Sequence, residues 1–384
     1  MPFWQKEILR TAVGMTFAET YTLDLPREGL LGSLVLYARS TQNGQPFLGA
    51  VRKWRLIDYI SKIEVIGDGA EVIKSFDGLQ ALASAFYDDG REPVSMWRHY
   101  SNTPHRQWVP IHFGRWFYDE LYGLDLSRFN QVQLKITNDA TATEFTTNIT
   151  LDVVAYWQRE TSAPPLGHFR EEEWKIWAPA ADAWEYNDLP TAHPIRRILL
   201  RARPGVDSAD CINNSSMHRL MRDINFSFRT GQVTVFRGSL EHLGHLSAMD
   251  GPWEIKTQGD IDRNADIGYE VGVGYAIAGL ASVHTYTAAP ATFPATVPNV
   301  VQQDSTQQTQ VRAADAIVQW QARGHGYNHN VPLWIAQKPD LSDMIDPVSQ
   351  NQVKVDIQCQ TGTDVTGTSR VAQNAIVLSR LIRR

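Results

Sequence analysis

Cysteine is almost missing from these 384 residues, with Cys211 and Cys359 the whole supply. Two thiols cannot staple a chain of this size, which excludes a disulfide framework of the small secreted type. No stretch approaches the roughly 20 consecutive apolar residues that a membrane-spanning helix needs. The opening Met1-Pro2-Phe3-Trp4-Gln5-Lys6 lacks an apolar core of the signal-peptide kind. Together these absences predict a protein made and used in a reducing cytoplasm. Basic charge is short as well, because 36 Lys and Arg stand against 42 Asp and Glu. Phosphate binding needs a basic footprint, so a general nucleic-acid coat and sequence-specific nucleic-acid recognition are both set aside. The local exception is Arg380-Leu381-Ile382-Arg383-Arg384 at the C-terminus.

Enzyme signatures are missing too. The chain has no G-x-S-x-G elbow, no phosphate-binding loop and no Cys/His pairing with a supporting context. Asp88-Asp89 and Asp119-Glu120 are adjacent carboxylates, but neighbouring residues of a strand point to opposite faces, so neither pair is held at a glycosidase spacing. His242 and His245, beside Glu241, are not the H-E-x-x-H arrangement and have no third ligand in view. His325 and His329 flank Gly326-Tyr327-Asn328, a spacing that suits a helix better than a glycine turn, so loop polarity explains them. The stretch Asp260 to Asp266 places oxygen ligands at alternate positions like a calcium loop. It has Ala265 where the turn glycine belongs and Val271 where the last glutamate belongs, so a solvated loop is the expectation. Asn148-Ile149-Thr150 and Asn213-Asn214-Ser215 match the glycosylation pattern and are expected unmodified without a secretory signal. No residue is assigned a catalytic, cofactor-binding or metal-ligating role.

What the chain does contain is an ordinary soluble composition, 43% hydrophobic and 20% charged, and enough length for two domains of roughly 150 residues. It also contains itself twice. Leu25-Pro26 and Leu36-Tyr37-Ala38-Arg39 return as Leu189-Pro190 and Leu200-Arg201-Ala202-Arg203, shifted by 164. Ile63, Val72, Leu79 and Leu82 return as Ile224, Val233, Leu240 and Leu243, shifted by 161. Val109-Pro110-Ile111 matches Val331-Pro332-Leu333, and Asn130-Gln131-Val132-Gln133-Leu134 matches Asn351-Gln352-Val353-Lys354-Val355, at shifts of 222 and 221. Collinear blocks at stable offsets are the trace of a repeated structural unit.

The jump in offset places an insertion of about 60 residues in the second copy, between Leu246 and Val331. From Val271 to Gln303 it carries no Lys, Arg, Asp or Glu, and it is rich in Pro and Thr around Thr285 to Pro298. Proline at that density removes ladder donors, so a long surface excursion outside any sheet is expected around 250–325.

Most apolar segments alternate or run for four to six residues, as in Gln131-Val132-Gln133-Leu134-Lys135-Ile136, which are strand signals. One short amphipathic helix is expected from Asp77 to Tyr87, with Leu79, Leu82, Ala83 and Phe86 on one face, and its counterpart after Ser239 carries Leu240, Leu243 and Leu246. Each helix is expected to cross an open end of its sandwich. Residues 161–188 hold Pro164-Pro165, Glu171-Glu172-Glu173, Trp174, Trp177 and Trp184, and read as a linker that packs between a first domain over 1–160 and a second over 189–384.

Two β domains with about eight short strands each suggest jelly rolls, two tandem ones making an all-β double jelly roll with one inserted helix apiece. The run from Ile63 through Ser75, followed by the Leu79-Gln80-Ala81-Leu82 helix, resembles the first jelly roll of double jelly-roll major capsid proteins. Trp108-Val109-Pro110-Ile111-His112-Phe113 is similar to a stretch in the same family, which belongs to tailless icosahedral viruses of the adenovirus hexon lineage, including bacteriophages with an internal membrane. The resemblance implies a homotrimer with a pseudo-hexagonal base that tiles a virion shell assembled in host cytoplasm. Its implied partners are neighbouring capsomers and minor capsid or penton proteins. It further implies interior termini, so that Phe3, Trp4, Lys6, Ile8, Leu9 and Arg10 would meet an internal membrane or a neighbour, and Arg380, Arg383 and Arg384 lipid, genome or water. The alternative is a carbohydrate-binding or carbohydrate-active protein of two β-sandwiches, its aromatic residues, 12 Trp among them, forming sugar platforms.

Overall fold

The computed structural model describes residues 3–27, 29–41, 56–96, 104–142, 145–161, 164–203, 220–249, 255–262, 269–272, 277–286, 299–302, 308–312, 317–336, 341–359 and 372–383, with backbone pairing alone for 255–325. The first half supplies β1 (Phe3–Met15), β2 (Thr20–Asp24), β3 (Leu30–Thr41), β4 (Ile60–Gly67), β5 (Glu71–Phe76), α1 (Gly78–Asp89), β6 (Ser95–Met96), β7 (Pro104–His112), β8 (Leu124–Asp125), β9 (Val132–Asn138) and β10 (Ile149–Arg159). They form two sheets. One runs β1-β10-β3-β7-β6 with β8 on β3, and the other contains β2-β9-β4-β5. Alternation makes them a sandwich: every second residue of β9 is buried from Val132 to Asn138, so its apolar face turns to the opposite sheet.

The second half repeats the plan with β11 (Gly167–Trp177), β12 (Trp184–Glu185), β13 (Ile195–Arg203), β14 (Asp223–Phe228), β15 (Val233–Gly238) and α2 (Leu240–Met249). An inserted region holds β16 (Ile255–Asp262), β17 (Tyr269–Gly272), β18 (Ile277–Tyr286), β19 (Asn299–Gln302), β20 (Gln308–Arg312) and β21 (Ile317–His325). The roll closes with β22 (Asn330–Trp334), β23 (Val353–Gln358) and β24 (Gln373–Arg383). Its sheets run β11-β24-β13-β22 and β12-β23-β14-β15, the orders of β1-β10-β3-β7 and β2-β9-β4-β5 in the first half, whose β6 and β8 have no counterpart among the described residues. The fold is a double jelly roll.

The repeat holds at single-residue level. Leu36 lies opposite Val109 and Val153 in the first roll, and Leu200 lies opposite Val331 and Ile376 in the second. Ile63 pairs with Ile136, and Ile224 with Ile357. One block slips: Ile66 faces Val72 while Ser227 faces Thr234, so Val72 corresponds to Thr234 and not to Val233. The hairpin joining β14 to β15 has one residue more than the hairpin joining β4 to β5, and everything after it moves by one.

Three expectations change. The stretch 161–188 is no mere connection, because β11 and β12 are the opening strands of the second roll and β11 is eleven residues long. The insertion is not structureless: β16-β21-β18 and β17-β20-β19 are hydrogen-bonded sheets, and its Pro-rich stretch 287–298 lies outside the described residues. Finally, α1 does not span an open end, since it is buried from Gly78 to Tyr87, against its own core on one side and the second roll on the other. Among the described residues, no helix is long and apolar enough to cross a membrane.

Candidate functional site

Among the described residues, one strand pairing joins the two rolls. β11 adds in parallel to the outer edge of β5, with Glu171 opposite Lys74 and Glu172 opposite Ser75, so the second sheet of the first roll runs on into the first sheet of the second. Parallel pairing buries both faces. Lys74 follows the apolar Val72-Ile73 within β5, and Arg196 and Arg197 interrupt the apolar β13, so all three charges are driven inside by the strands that carry them.

Buried charges need partners. Glu171 accepts from Lys74 Nζ at 3.0 Å, from Ser84 Oγ at 2.9 Å and from Arg197 Nη2 at 2.9 Å. Arg197 also donates to Asp88 Oδ1 at 2.7 Å and to Ser84 Oγ at 2.7 Å, and Arg196 forms an ion pair with Asp88 at 2.9 Å. Lys74, Ser84 and Asp88 come from the first roll, while Glu171, Arg196 and Arg197 come from the second. Burial pushes the Glu171 carboxyl upward, but the adjacent Lys74 and Arg197 charges overcome it and hold the group below the ordinary carboxylate range. Burial likewise lowers Lys74, with Glu171 pulling the other way. Such a network gives little net stability over apolar packing, yet it penalises any other docking that separates the charges.

Around this centre α1 is clamped. Asp77 caps the helix by accepting from Gln80 N at 2.8 Å, and its other oxygen meets Arg201 of β13. Gln80 donates to Glu173 at 2.5 Å. Tyr87 donates to the Asn330 carbonyl at 2.8 Å and accepts from Tyr327 N at 3.1 Å, while Phe86 stacks on Tyr327 with ring centroids 4.8 Å apart.

The residues weighed as chemical groups fall elsewhere or into this framework. Asp88 and Asp89 close α1, which runs past Tyr87; Asp88 joins the network and Asp89 pairs with His112 at 3.2 Å. They are helical neighbours, not strand neighbours. Asp119 is held by Arg115 through Nε at 2.7 Å and Nη2 at 2.8 Å, and Glu120 beside it is exposed. His242 meets Ser239 in the first turn of α2, His245 sits one turn on, and His329 lies in a turn far along the chain at the end of the insertion. His325 ends β21, Asp260 and Asp262 lie in β16, and Asp266 and Asn213 lie outside the described residues. Asn148 is exposed just before β10. Among the described residues no three His, Cys, Asp or Glu side chains converge as a metal site.

Two terminal expectations also meet the structure. Phe3 to Met15 is a strand of the first roll, paired with β10 across two register shifts. Arg380 is buried against Glu172 and is neither solvated nor available to lipid or genome. Arg383 ends β24, and Arg384 lies outside the described residues. Trp184 in β12 and Tyr186 just after it expose stacked rings with centroids 6.1 Å apart.

Lys74, Glu171, Arg196 and Arg197 were not singled out by sequence. The available signal was charge set inside apolar strand runs, as in Ile195-Arg196-Arg197-Ile198.

No protein-family model matches the sequence, and no curated protein matches it. Its fold does match solved structures. The STIV MCP aligns over 99% of this chain and 97% of its own, with a TM-score of 0.60 and 7% identity. PBCV-1 VP54, fitted into a reconstruction of the virophage Sputnik, aligns over 99% and 94% with a TM-score of 0.56 and 9% identity. The major capsid protein P2 from Bacteriophage PM2 aligns over 100% and 99%, with a TM-score of 0.52 and 10% identity.

Proposed function

We propose that this chain is a major capsid protein: a structural subunit that forms trimeric, pseudo-hexagonal capsomers and tiles an icosahedral virion shell. The observation that carries the reading is end-to-end correspondence with double jelly-roll capsid proteins, spanning both rolls of each chain and not one shared sandwich. The junction supports it. Its charged groups pair with one another across the two rolls, a geometry suited to holding the rolls in a fixed relation and not to presenting a nucleophile or acid–base pair to a substrate. We therefore assign no catalytic role.

In this reading, residues 1–160 form one roll and the second extends to 384, with the insertion around 250–325 on the outer surface of the shell. Partners are further copies of the chain and minor capsid or penton proteins, and assembly takes place in host cytoplasm. An internal membrane would have to be met by Phe3 and Ile8 side chains, since a sheet already holds the backbone of β1.

The test is the native mass by light scattering across a concentration series, with negative-stain images of the same sample. A stable species near three times the 43.3 kDa chain mass with hexagonal outlines is expected. A protein that stays monomeric at high concentration overturns the reading. The carbohydrate alternative rests on the Trp184–Tyr186 pair, and a glycan array tests it directly.

A further inference from the structure

The internal repeat makes a prediction about surfaces that the covalent junction leaves open. β1 and β11 correspond residue for residue: Ile8 pairs with Val154 and Arg10 with Val153 across a register shift, and Glu173 pairs with Val377 and Lys175 with Ile376 across the same shift. Hence Lys6 corresponds to Glu171 and Glu7 to Glu172. By the ladders to β4 and β14, Lys74 corresponds to Phe236 and Ser75 to Arg237. The helices follow, because Ser239 receives the His242 amide as Asp77 receives that of Gln80. Ser84 therefore corresponds to Leu246.

Within one chain β11 closes the edge of β5 and the second roll covers α1. Among the described residues nothing closes the corresponding edge of β15, and nothing pairs with the outer edge of β1. Open edges template pairing with another chain. The outer face of α2 is exposed at Glu241, His242, Leu246 and Met249, where α1 is buried. These open surfaces carry exposed apolar side chains among their polar ones. Val235, Leu246 and Met249 are 45%, 46% and 82% exposed on the β15 side, and Phe3 and Ile8 are 48% and 64% exposed on β1. The charges of the covalent junction are not repeated there, since Lys74, Glu171 and Arg197 correspond to Phe236, Lys6 and Ser33.

We infer that β1 of a second copy of this chain adds in parallel to the edge of β15 and packs on α2, with Lys6 beside Phe236 and Glu7 beside Arg237. The second copy is the occupant because the chain already makes this contact with itself, between β5 and β11, and because the register sets opposite charges, Glu7 and Arg237, side by side. The contact is head-to-tail, so it propagates from copy to copy and closes when the ring is complete. Six rolls from three chains would then share one kind of junction, three within chains and three between. The inference rests on the assembly reading and names its surface.

The experiment is disulfide trapping in the full-length protein. Neighbouring parallel strands bring residues to about 4.8 Å, within the roughly 4.4–6.8 Å that a disulfide spans. Chains carrying Glu7→Cys and chains carrying Arg237→Cys are co-assembled and oxidised, with circular dichroism confirming that each variant folds. A covalent dimer is expected from the mixture and not from either variant alone, and the double variant is expected to shift from monomer to trimer on a non-reducing gel. In the same samples, Glu7→Cys mixed with Val233→Cys stays uncrosslinked. If light scattering shows trimers but the disulfide between the two introduced thiols does not form, this interface is wrong and the capsid reading stands. If the chain stays monomeric, both fail. A double variant that stops at a covalent dimer means a closed two-fold contact and overturns the head-to-tail arrangement.

Discussion

Lys74 Nζ lies 3.0 Å from Glu171 Oε2, both side chains buried, at the point where β11 of one jelly roll adds to β5 of the other. Glu171 has two further donors and Lys74 has none of comparable strength, which makes the pair asymmetric. Removing the carboxylate charge strands the buried Lys74 and leaves Arg197 with Asp88 as its remaining carboxylate, whereas removing the ammonium leaves Glu171 still bound to Arg197 and Ser84. Glu171→Gln should therefore cost about 3–5 kcal/mol and Lys74→Met distinctly less. Guanidinium unfolding midpoints of the two variants check the order. Equal losses would mean that the network is not organised around Glu171.

Asp77 caps α1 and also holds Arg201 of the second roll, so one carboxylate does two jobs that mutation can separate. Asp77→Ser keeps a capping oxygen and loses the ion pair, and Asp77→Ala loses both. The difference between the variants should be about 1 kcal/mol, the ordinary worth of a cap. The larger loss, about 3 kcal/mol, should be common to both, because each leaves the Arg201 guanidinium buried without its carboxylate. Thermal unfolding followed by circular dichroism resolves the two contributions.

Much of the architecture was legible because it is written in local pattern. The blocks at Leu36, Ile63, Val109 and Gln133 name strands β3, β4, β7 and β9, and their repeats name β13, β14, β22 and β23. The misreadings share a cause. Glu171-Glu172-Glu173 reads as part of a packed linker because, Arg170 apart, its partners Lys74, Arg197 and Arg380 arrive from distant strands. Asp88-Asp89 hides its role in the same way. The one-residue slip at Val72 was invisible because Val233 offers an equally apolar match one position early. Pairing across a sheet, and not residue type, decides between them.

His168, the second residue of β11, is buried beside Lys74 and Arg128. Burial, with those charges adding to it, pushes the imidazole from 6.5 down to about 3. The folded state therefore refuses a proton that the unfolded state accepts. Stability from this residue is complete above pH 6.5 and is lost as pH falls toward 3, by up to about tenfold in the folded-to-unfolded ratio per pH unit. His168→Leu should flatten that part of the profile while leaving stability at pH 8 little changed. The check is a set of denaturation midpoints from pH 8 to pH 4. An unaltered slope in the variant would place the acid sensitivity elsewhere.

Gly167 opens β11 at φ +152°, and a Cβ built there would sit 2.1 Å from the Ile382 carbonyl oxygen. That oxygen belongs to β24, the strand against which β11 lies, so neither backbone can yield without breaking the ladder. Gly231, in the hairpin between β14 and β15, has φ +82° and open space around it. The pair separates two effects of glycine. Gly231→Ala meets only the left-handed backbone penalty, about 1–2 kcal/mol. Gly167→Ala adds a backbone clash at the strand that docks one roll on the other, and should cost about 3 kcal/mol or more. Because the clash displaces β11, its damage should reach the Lys74–Glu171 junction as well. Hydrogen exchange should show faster exchange in β5 and β11 of Gly167→Ala but not of Gly231→Ala. Equal, local effects in the two variants would show that β11 accommodates a side chain at its start.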